Sequence, residues 1–175
     1  RRELDRAGII RSFLGTAESE RNRLLRPFAV AHEKDFIYVS DSKFKKLVTI
    51  DLKKATMSFF PSERMGSLNE PMGIFVDVDG SKYVADVGRG QVVAYDSQNQ
   101  YLRAYGAKDE YKVTDVAVDG ERIYISESKK DEVLVLDKTS GEVVQRIGGR
   151  GKEDGKFRFP SFLSVDGDGN LFVTD

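Results

Sequence analysis

Acidic side chains recur at equivalent places along the chain and are the first candidates for chemistry. Asp41, Asp86, Glu127 and Asp175 each end a short apolar run. Carboxylates gathered around one axis could bind a cation, because hard cations prefer several carboxylate oxygens. Alternatively, an acidic side chain at a strand end can accept backbone N–H bonds from the loop that follows. Repetition at every corner favours the structural role, so we predict no metal and no cofactor there.

A second acidic series follows the first at a constant interval. Asp51, Asp96 and Asp137 lie ten positions after the first three acids of the first series. Each comes directly after a β-rich run: LVTID, VVAYD or VLVLD. Asp favours turns because its side chain bonds its own backbone two residues further on. We therefore predict that this series closes turns.

The residue types that most enzymes use are scarce. The chain has no Cys and one His, His32, which excludes thiol chemistry and any site built from several imidazoles. Asp166-Gly-Asp-Gly-Asn is similar to the start of a calcium loop, but its flanks are not helical. Gly148-Gly-Arg-Gly-Lys lacks the spacing of a phosphate loop. These residues predict a protein that is not an enzyme.

The acids are positioned by an internal repeat. Residues 71–86 (PMGIFVDVDGSKYVAD) align without a gap to residues 160–175 (PSFLSVDGDGNLFVTD), and looser copies cover residues 27–41 and 113–127. The aromatic anchors Tyr38, Tyr83, Tyr124 and Phe172 are 45, 41 and 48 residues apart. This period is typical of the four-stranded blades of propellers.

The runs within each repeat are short and rich in Val, Ile, Tyr and Phe, which predicts strands throughout. The expected fold class is all-β, a β-propeller of four-stranded antiparallel blades. The predicted units of this single, partial domain are an outer strand of a preceding blade at 1–15, blades at 24–60, 69–106 and 111–148, and the inner hairpin of a further blade at 157–175.

The pattern of Pro, an apolar run, Val-Asp, Asp-Gly and aromatic-Val-x-Asp resembles the NHL repeat. The stretch GGRGKEDGKFRF (148–159) is similar to the inter-blade linkers of bacterial NHL proteins. The resemblance implies a six-bladed ring, of which this chain would be a fragment; a four-bladed ring whose ends share one blade is the alternative. It also implies a periplasmic, cell-envelope or extracellular location. NHL propellers include protein scaffolds, RNA binders and a few lyases, and the lyases depend on several histidines.

Charge is balanced overall but not between the two faces of such a propeller. The chain has 28 Lys and Arg against 29 Asp and Glu, which argues against a uniformly basic nucleic-acid binder. Basic residues concentrate in the loops between second and third strands and between blades, whereas acids concentrate in the hairpins. The candidate partner-binding residues are Lys43, Phe44, Lys45, Lys46, Arg89, Lys129, Lys130, Arg150 and Lys152.

A face rich in Lys and Arg can steer an anionic partner. The sequence therefore predicts a non-catalytic scaffold that binds another protein, with nucleic acid or a glycan as further candidates, and it contains no transmembrane segment. RNA binding would require exposed aromatic rings among the charges, and Phe44 and Tyr111 are the candidates. A lyase or hydrolase whose metal or His residues lie in other blades, and a merely solvated rim, remain alternatives.

Overall fold

The computed structural model describes residues 24–61 and 66–175, and these residues form fourteen β-strands and no helix. The predicted outer strand at 1–15 lies outside the described residues. The strands are β1 (Pro27–Glu33), β2 (Phe36–Asp41), β3 (Lys46–Asp51), β4 (Thr56–Phe60), β5 (Pro71–Val76), β6 (Lys82–Asp86), β7 (Gln91–Tyr95), β8 (Tyr101–Tyr105), β9 (Val113–Asp119), β10 (Arg122–Glu127), β11 (Glu132–Asp137), β12 (Val143–Gly148), β13 (Phe162–Val165) and β14 (Leu171–Thr174).

Neighbouring strands pair in chain order. β1–β4, β5–β8 and β9–β12 form three four-stranded antiparallel sheets, here called the first, second and third blades, and β13–β14 form a two-stranded sheet, the last hairpin. The innermost strands pack side by side in the order β1, β5, β9, β13. The predicted all-β fold is confirmed, and the described residues form part of a β-propeller. No helix in this part of the chain has the length and apolar character needed to span a bilayer.

The hydrophobic core lies between the blades. Successive side chains of a strand point to opposite faces of its sheet. On β7, Val93 packs towards Tyr38 of the first blade, whereas Val92 packs towards Ile125 of the third. Burying one such aliphatic side chain stabilises the fold by about 1.5–3 kcal/mol. The central strands of the second blade are apolar on both faces because the first and third blades cover it.

Two kinds of connection divide the surface into two faces. The turns joining first to second and third to fourth strands lie on the hairpin face, where Gly80 and Gly169 adopt positive φ angles of 83° and 80°. Glycine suits these turns because it lacks the Cβ that disfavours positive φ. The loops joining second to third strands, and the segments joining blades, lie on the loop face. The predicted basic residues therefore share the loop face.

Candidate functional site

Asp41, Asp86 and Glu127 of the first series each bind backbone N–H groups from two segments, and Asp175 binds those of one. Asp41 Oδ1 accepts the N–H groups of Lys43 and Phe44 at 3.0 and 3.1 Å, and its Oδ2 accepts those of Leu25 and Arg26 at 2.7 and 3.0 Å. The first pair belongs to the loop after β2, and the second pair belongs to the segment that leads into β1. One carboxylate thus fastens the loop to the start of its own blade.

The same arrangement recurs in the other blades. The additional bonds run from the N–H groups of Asn69, Glu70 and Arg89 to Asp86, from those of Lys112, Lys129 and Lys130 to Glu127, and from those of Arg158 and Phe159 to Asp175. Within the described residues, no three acidic or His side chains come close enough to hold a metal ion. The bonds to the segment before each blade were not anticipated from sequence, because they join residues about fifteen apart.

The second acidic series lies in the hairpin turns. Asp51 Oδ1 accepts the N–H groups of Lys53 and Lys54, and Asp137 Oδ1 accepts those of Thr139 and Ser140. Asp96 binds the N–H groups of Gln98 and Gln100 in the same way. The backbone N–H of Lys54 lowers the pKa of Asp51, and that of Ser140 lowers the pKa of Asp137. Asp51 and Asp137 are therefore charged, and all three acids of this series accept hydrogen bonds within their own turns.

The bonds made by the first series fix the backbone of the basic loops. Lys43, Lys129 and Lys130 donate their backbone N–H groups to the acids, whereas their side chains are exposed. The residue before each third strand is left-handed, with φ of 57° at Lys45, 65° at Gly90 and 59° at Asp131. The three loops therefore share one left-handed position, and the acid that ends each second strand fixes the backbone of the basic residues that follow it.

Ion pairs are distributed unequally between the two faces. On the hairpin face five cations pair with acids, in Lys34–Glu33, Lys53–Asp35, Lys54–Asp51, Arg122–Asp137 and Lys138–Asp77. The buried Lys82 instead donates to the backbone oxygens of Asp96 and Ser97. On the loop face, Arg150 pairs with Asp131 and Arg146 pairs with Glu132. Within residues 24–61 and 66–175, the remaining candidate lysines form no ion pair: Lys43, Lys45, Lys46, Lys129, Lys130 and Lys152. Asp41, Asp86 and Glu127, the acids that precede the loops between second and third strands, accept backbone N–H groups instead.

Three sequence candidates are engaged within the protein. The Arg89 guanidinium donates to Ser67 O at 2.8 Å and to Gln91 Oε1 at 3.2 and 3.4 Å. Phe44 is half-buried and packs edge-on against Phe59, with ring centroids 5.1 Å apart. Tyr111 is also half-buried, with Lys130 Nζ 6.0 Å from its ring centre. Both rings are therefore partly covered by other residues of the protein.

The linker after the third blade forms an ordered loop. Gly151 N–H donates to Phe157 O at 3.0 Å, and Phe157 N–H donates to Gly149 O at 3.1 Å. Arg150, Gly151, Lys152 and Arg158 line a cavity of about 380 Å³ beside this bridge. Arg150 and Lys152, both predicted from sequence, are thereby brought together with Arg158.

A buried carboxylate was missed at the sequence level. Asp115 lies on β9, is 8% exposed and accepts the N–H of Leu163 through Oδ2 at 2.8 Å. Burial raises its pKa to about 6. The sequence does contain a signal. When the first strands of the four sheets are aligned by their pairing with the second strands, VTDVAVD (113–119) has an acid where the others have Ala29, Gly73 and Phe162.

The blades and their two faces define a β-propeller, and comparison with solved structures agrees. The chain is similar to a streptogramin B lyase (14% identity, TM-score 0.67, 85% of this chain and 47% of that one) and to a catalytically inactive virginiamycin B lyase from Staphylococcus aureus with quinupristin (13%, 0.68, 88% and 50%). It is also similar to BamB from Moraxella catarrhalis (14%, 0.63, 85% and 40%). Identities this low show the fold alone.

The chain spans half or less of the length of these structures. No model of a known protein family matches it. The resemblance to the NHL repeat and the six-bladed ring therefore stay predictions. The streptogramin B lyase is an enzyme, whereas BamB is not named as one, and both have this fold. The fold alone therefore does not decide between catalysis and binding.

Proposed function

We propose that the protein is a non-catalytic, NHL-type propeller that docks an anionic macromolecule, in the first instance another protein, on its loop face. The observation that carries the proposal is the unequal pairing of cations. The exposed lysines of the described hairpin face pair with carboxylates, whereas Lys43, Lys45, Lys129 and their neighbours lack such partners among the described residues. Unneutralised cations on one face raise association rates with anionic partners.

The mechanism is rigid presentation. Asp41 and Glu127 hold the backbone of the basic loops through bonds to their own blades, so the lysine side chains extend from fixed positions. A preorganised surface loses less conformational entropy on binding than a mobile one. The location implied by the linker, in the periplasm, cell envelope or outside the cell, belongs to the same proposal and is tested by fractionation of cells.

The test compares charge reversal on the two faces. The variant Lys45→Glu/Lys46→Glu/Lys129→Glu should elute from an immobilised poly-L-glutamate column at much lower salt than the unmodified protein. The matched control Lys34→Glu/Lys53→Glu/Lys54→Glu makes the same change of charge on the hairpin face and should elute close to the unmodified protein. Equal shifts in both variants would show that net charge, rather than the loop face, governs binding.

The similarity to two lyases supports an enzyme as the second candidate. Within the described residues, His32 is exposed on β1 and no cluster of metal-ligating side chains is present. An enzyme would need residues supplied from elsewhere. Elemental analysis of the purified protein separates the two candidates, because stoichiometric zinc or calcium would favour the enzyme.

A further inference from the structure

The cavity lined by Arg150, Gly151, Lys152 and Arg158, here called the arginine cavity, brings three cations of the loop face together. Its volume of about 380 Å³ falls within the range typical of small-ligand sites. Three of its four lining residues carry a positive charge. Such a cavity suits a negatively charged group.

Asp131 orients one wall of the arginine cavity. Arg150 Nε donates to Asp131 Oδ2 at 2.6 Å, with Asp131 1% exposed and the Arg150 side chain 80% exposed. A guanidinium carries five N–H donors in one plane, so this bond leaves both terminal nitrogens free to donate. Two parallel N–H bonds match the two oxygens of a carboxylate.

The other two cations are not neutralised from within the described part of the chain. Lys152 and Arg158 use their backbone N–H groups, which bind Glu153 Oε2 and Asp175 Oδ1 at 3.0 and 2.8 Å. Backbone donors lower the pKa of Glu153, which keeps it charged and bound within its own loop. The side chains of Lys152 and Arg158 make no hydrogen bond or ion pair with any described residue.

The surroundings favour a protein carboxylate over a nucleic acid. Single-stranded nucleic acids bind largely by stacking bases on exposed aromatic rings. Phe44 and Tyr111 are half-buried, whereas Phe159, next to Arg158, is 53% exposed, so the preference for a carboxylate depends on the acids beside the arginine cavity. Glu153 and Asp154 interrupt the positive surface next to the arginine cavity. They repel a continuous phosphate backbone but leave room for a single acidic side chain.

We infer that the arginine cavity binds a carboxylate side chain of an acidic protein segment, gripped by the fork of Arg158 and the terminal nitrogens of Arg150, with Lys152 adding charge. The inference rests on the proposed function, that the loop face docks an anionic partner. It adds a specific site within that face, and it predicts that geometry as well as charge determines affinity there.

Binding is measured by fluorescence anisotropy with a fluorescein-labelled hexaglutamate peptide at low ionic strength. The variant Lys152→Gln/Arg158→Gln should bind about tenfold more weakly, as expected for loss of a charge-assisted hydrogen bond. The matched control Lys129→Gln/Lys130→Gln removes the same charge from the same face, away from the arginine cavity, and should lose clearly less affinity. All substituted side chains are exposed, so melting temperatures should stay close to that of the unmodified protein.

The outcomes separate the inference from the proposed function. Equal losses in the two variants would overturn the arginine cavity as a specific site but agree with binding by the loop face. No loss in either variant would contradict both. Arg158→Lys keeps the charge and removes the fork, and it should weaken binding several-fold; unchanged affinity would overturn the assigned geometry. Tighter binding of an oligouridylate with the same dependence on Lys152 and Arg158 would overturn the choice of a carboxylate.

Discussion

Asp115 Oδ2 accepts the backbone N–H of Leu163 at 2.8 Å and so joins the third blade to the last hairpin. The same residue packs against Gly73 of the second blade, where an added Cβ would lie 2.7 Å from Asp115 Cα. Asp115 therefore contacts three successive blades. No cation pairs with it among the described residues, and burial raises its pKa from 3.8 to about 6.

Asp115→Asn should stabilise the protein at neutral pH. The pKa of this acid is higher in the folded state, about 6, than in the unfolded state, about 4. The free energy of unfolding therefore falls as pH rises from about 4 to about 6, because the folded state holds its proton more tightly. Asn keeps an oxygen for the Leu163 N–H but carries no charge. We expect its free energy of unfolding to exceed that of the unmodified protein by about 1–3 kcal/mol at about pH 7.5, and the difference to shrink towards pH 4.

Urea unfolding across this pH range measures the effect. Asp115→Ala serves as the control, because it removes the acceptor as well as the charge and should be destabilised relative to Asn at every pH. Parallel pH profiles for the unmodified protein and Asp115→Asn would show that this carboxylate is not the group that titrates.

Gly73→Ala should destabilise the interface between the second and third blades. The new Cβ would lie 2.7 Å from Asp115 Cα, and backbone in a packed interface cannot move aside at low cost. Overpacking of this kind costs about 1–3 kcal/mol. Gly167→Ala is the matched control, since a Cβ there meets nothing within 4 Å and its φ is not positive. Equal melting temperatures for the two variants would contradict the tight packing.

Patterns along the chain predicted the all-β fold, because each sheet is built from neighbouring strands. The β-rich run LVTID, for example, lies in β3 (Lys46–Asp51). β5 begins at Pro71, which pairs with Asp86 across an irregularity in the register. The alternation of apolar residues and the turn residues predict where strands and turns lie, but they do not predict an irregularity in the pairing register.

Features that depend on distant residues were not predicted. From the sequence, Asp115 resembles any other residue of a strand. The backbone N–H that it binds belongs to Leu163, 48 residues further along the chain. Arg89 reads as an exposed loop cation, but its guanidinium binds Ser67 O, 22 residues earlier. Which loop cations remain free therefore depends on contacts between segments that sequence spacing does not specify.

Asp41→Ala should both destabilise the first blade and loosen its basic loop. The carboxylate is fully buried and accepts four backbone N–H groups, which would lose their acceptor. We expect a loss of about 2–4 kcal/mol in the free energy of unfolding, because four partly buried donors lose one shared acceptor. Hydrogen exchange should also accelerate at residues 43–46. Asp51→Ala, which frees two N–H groups in a hairpin turn, should cost less and leave exchange at 43–46 unchanged.

Gly148→Ala should damage the arginine cavity through its supporting loop. Gly148 has φ of 95°, and an added Cβ would lie 2.6 Å from Phe157 Cε2, so the ring must move. Phe157 makes the backbone bonds that hold Arg150 and Gly151 in place. Gly155→Ala is the matched control, because its φ of 80° gives similar backbone strain, of about 1 kcal/mol, while a Cβ there meets nothing within 4 Å. Both variants should lose some stability, but Gly148→Ala alone should bind the hexaglutamate peptide more weakly. Equal affinities would show that the loop conformation does not determine binding at the arginine cavity.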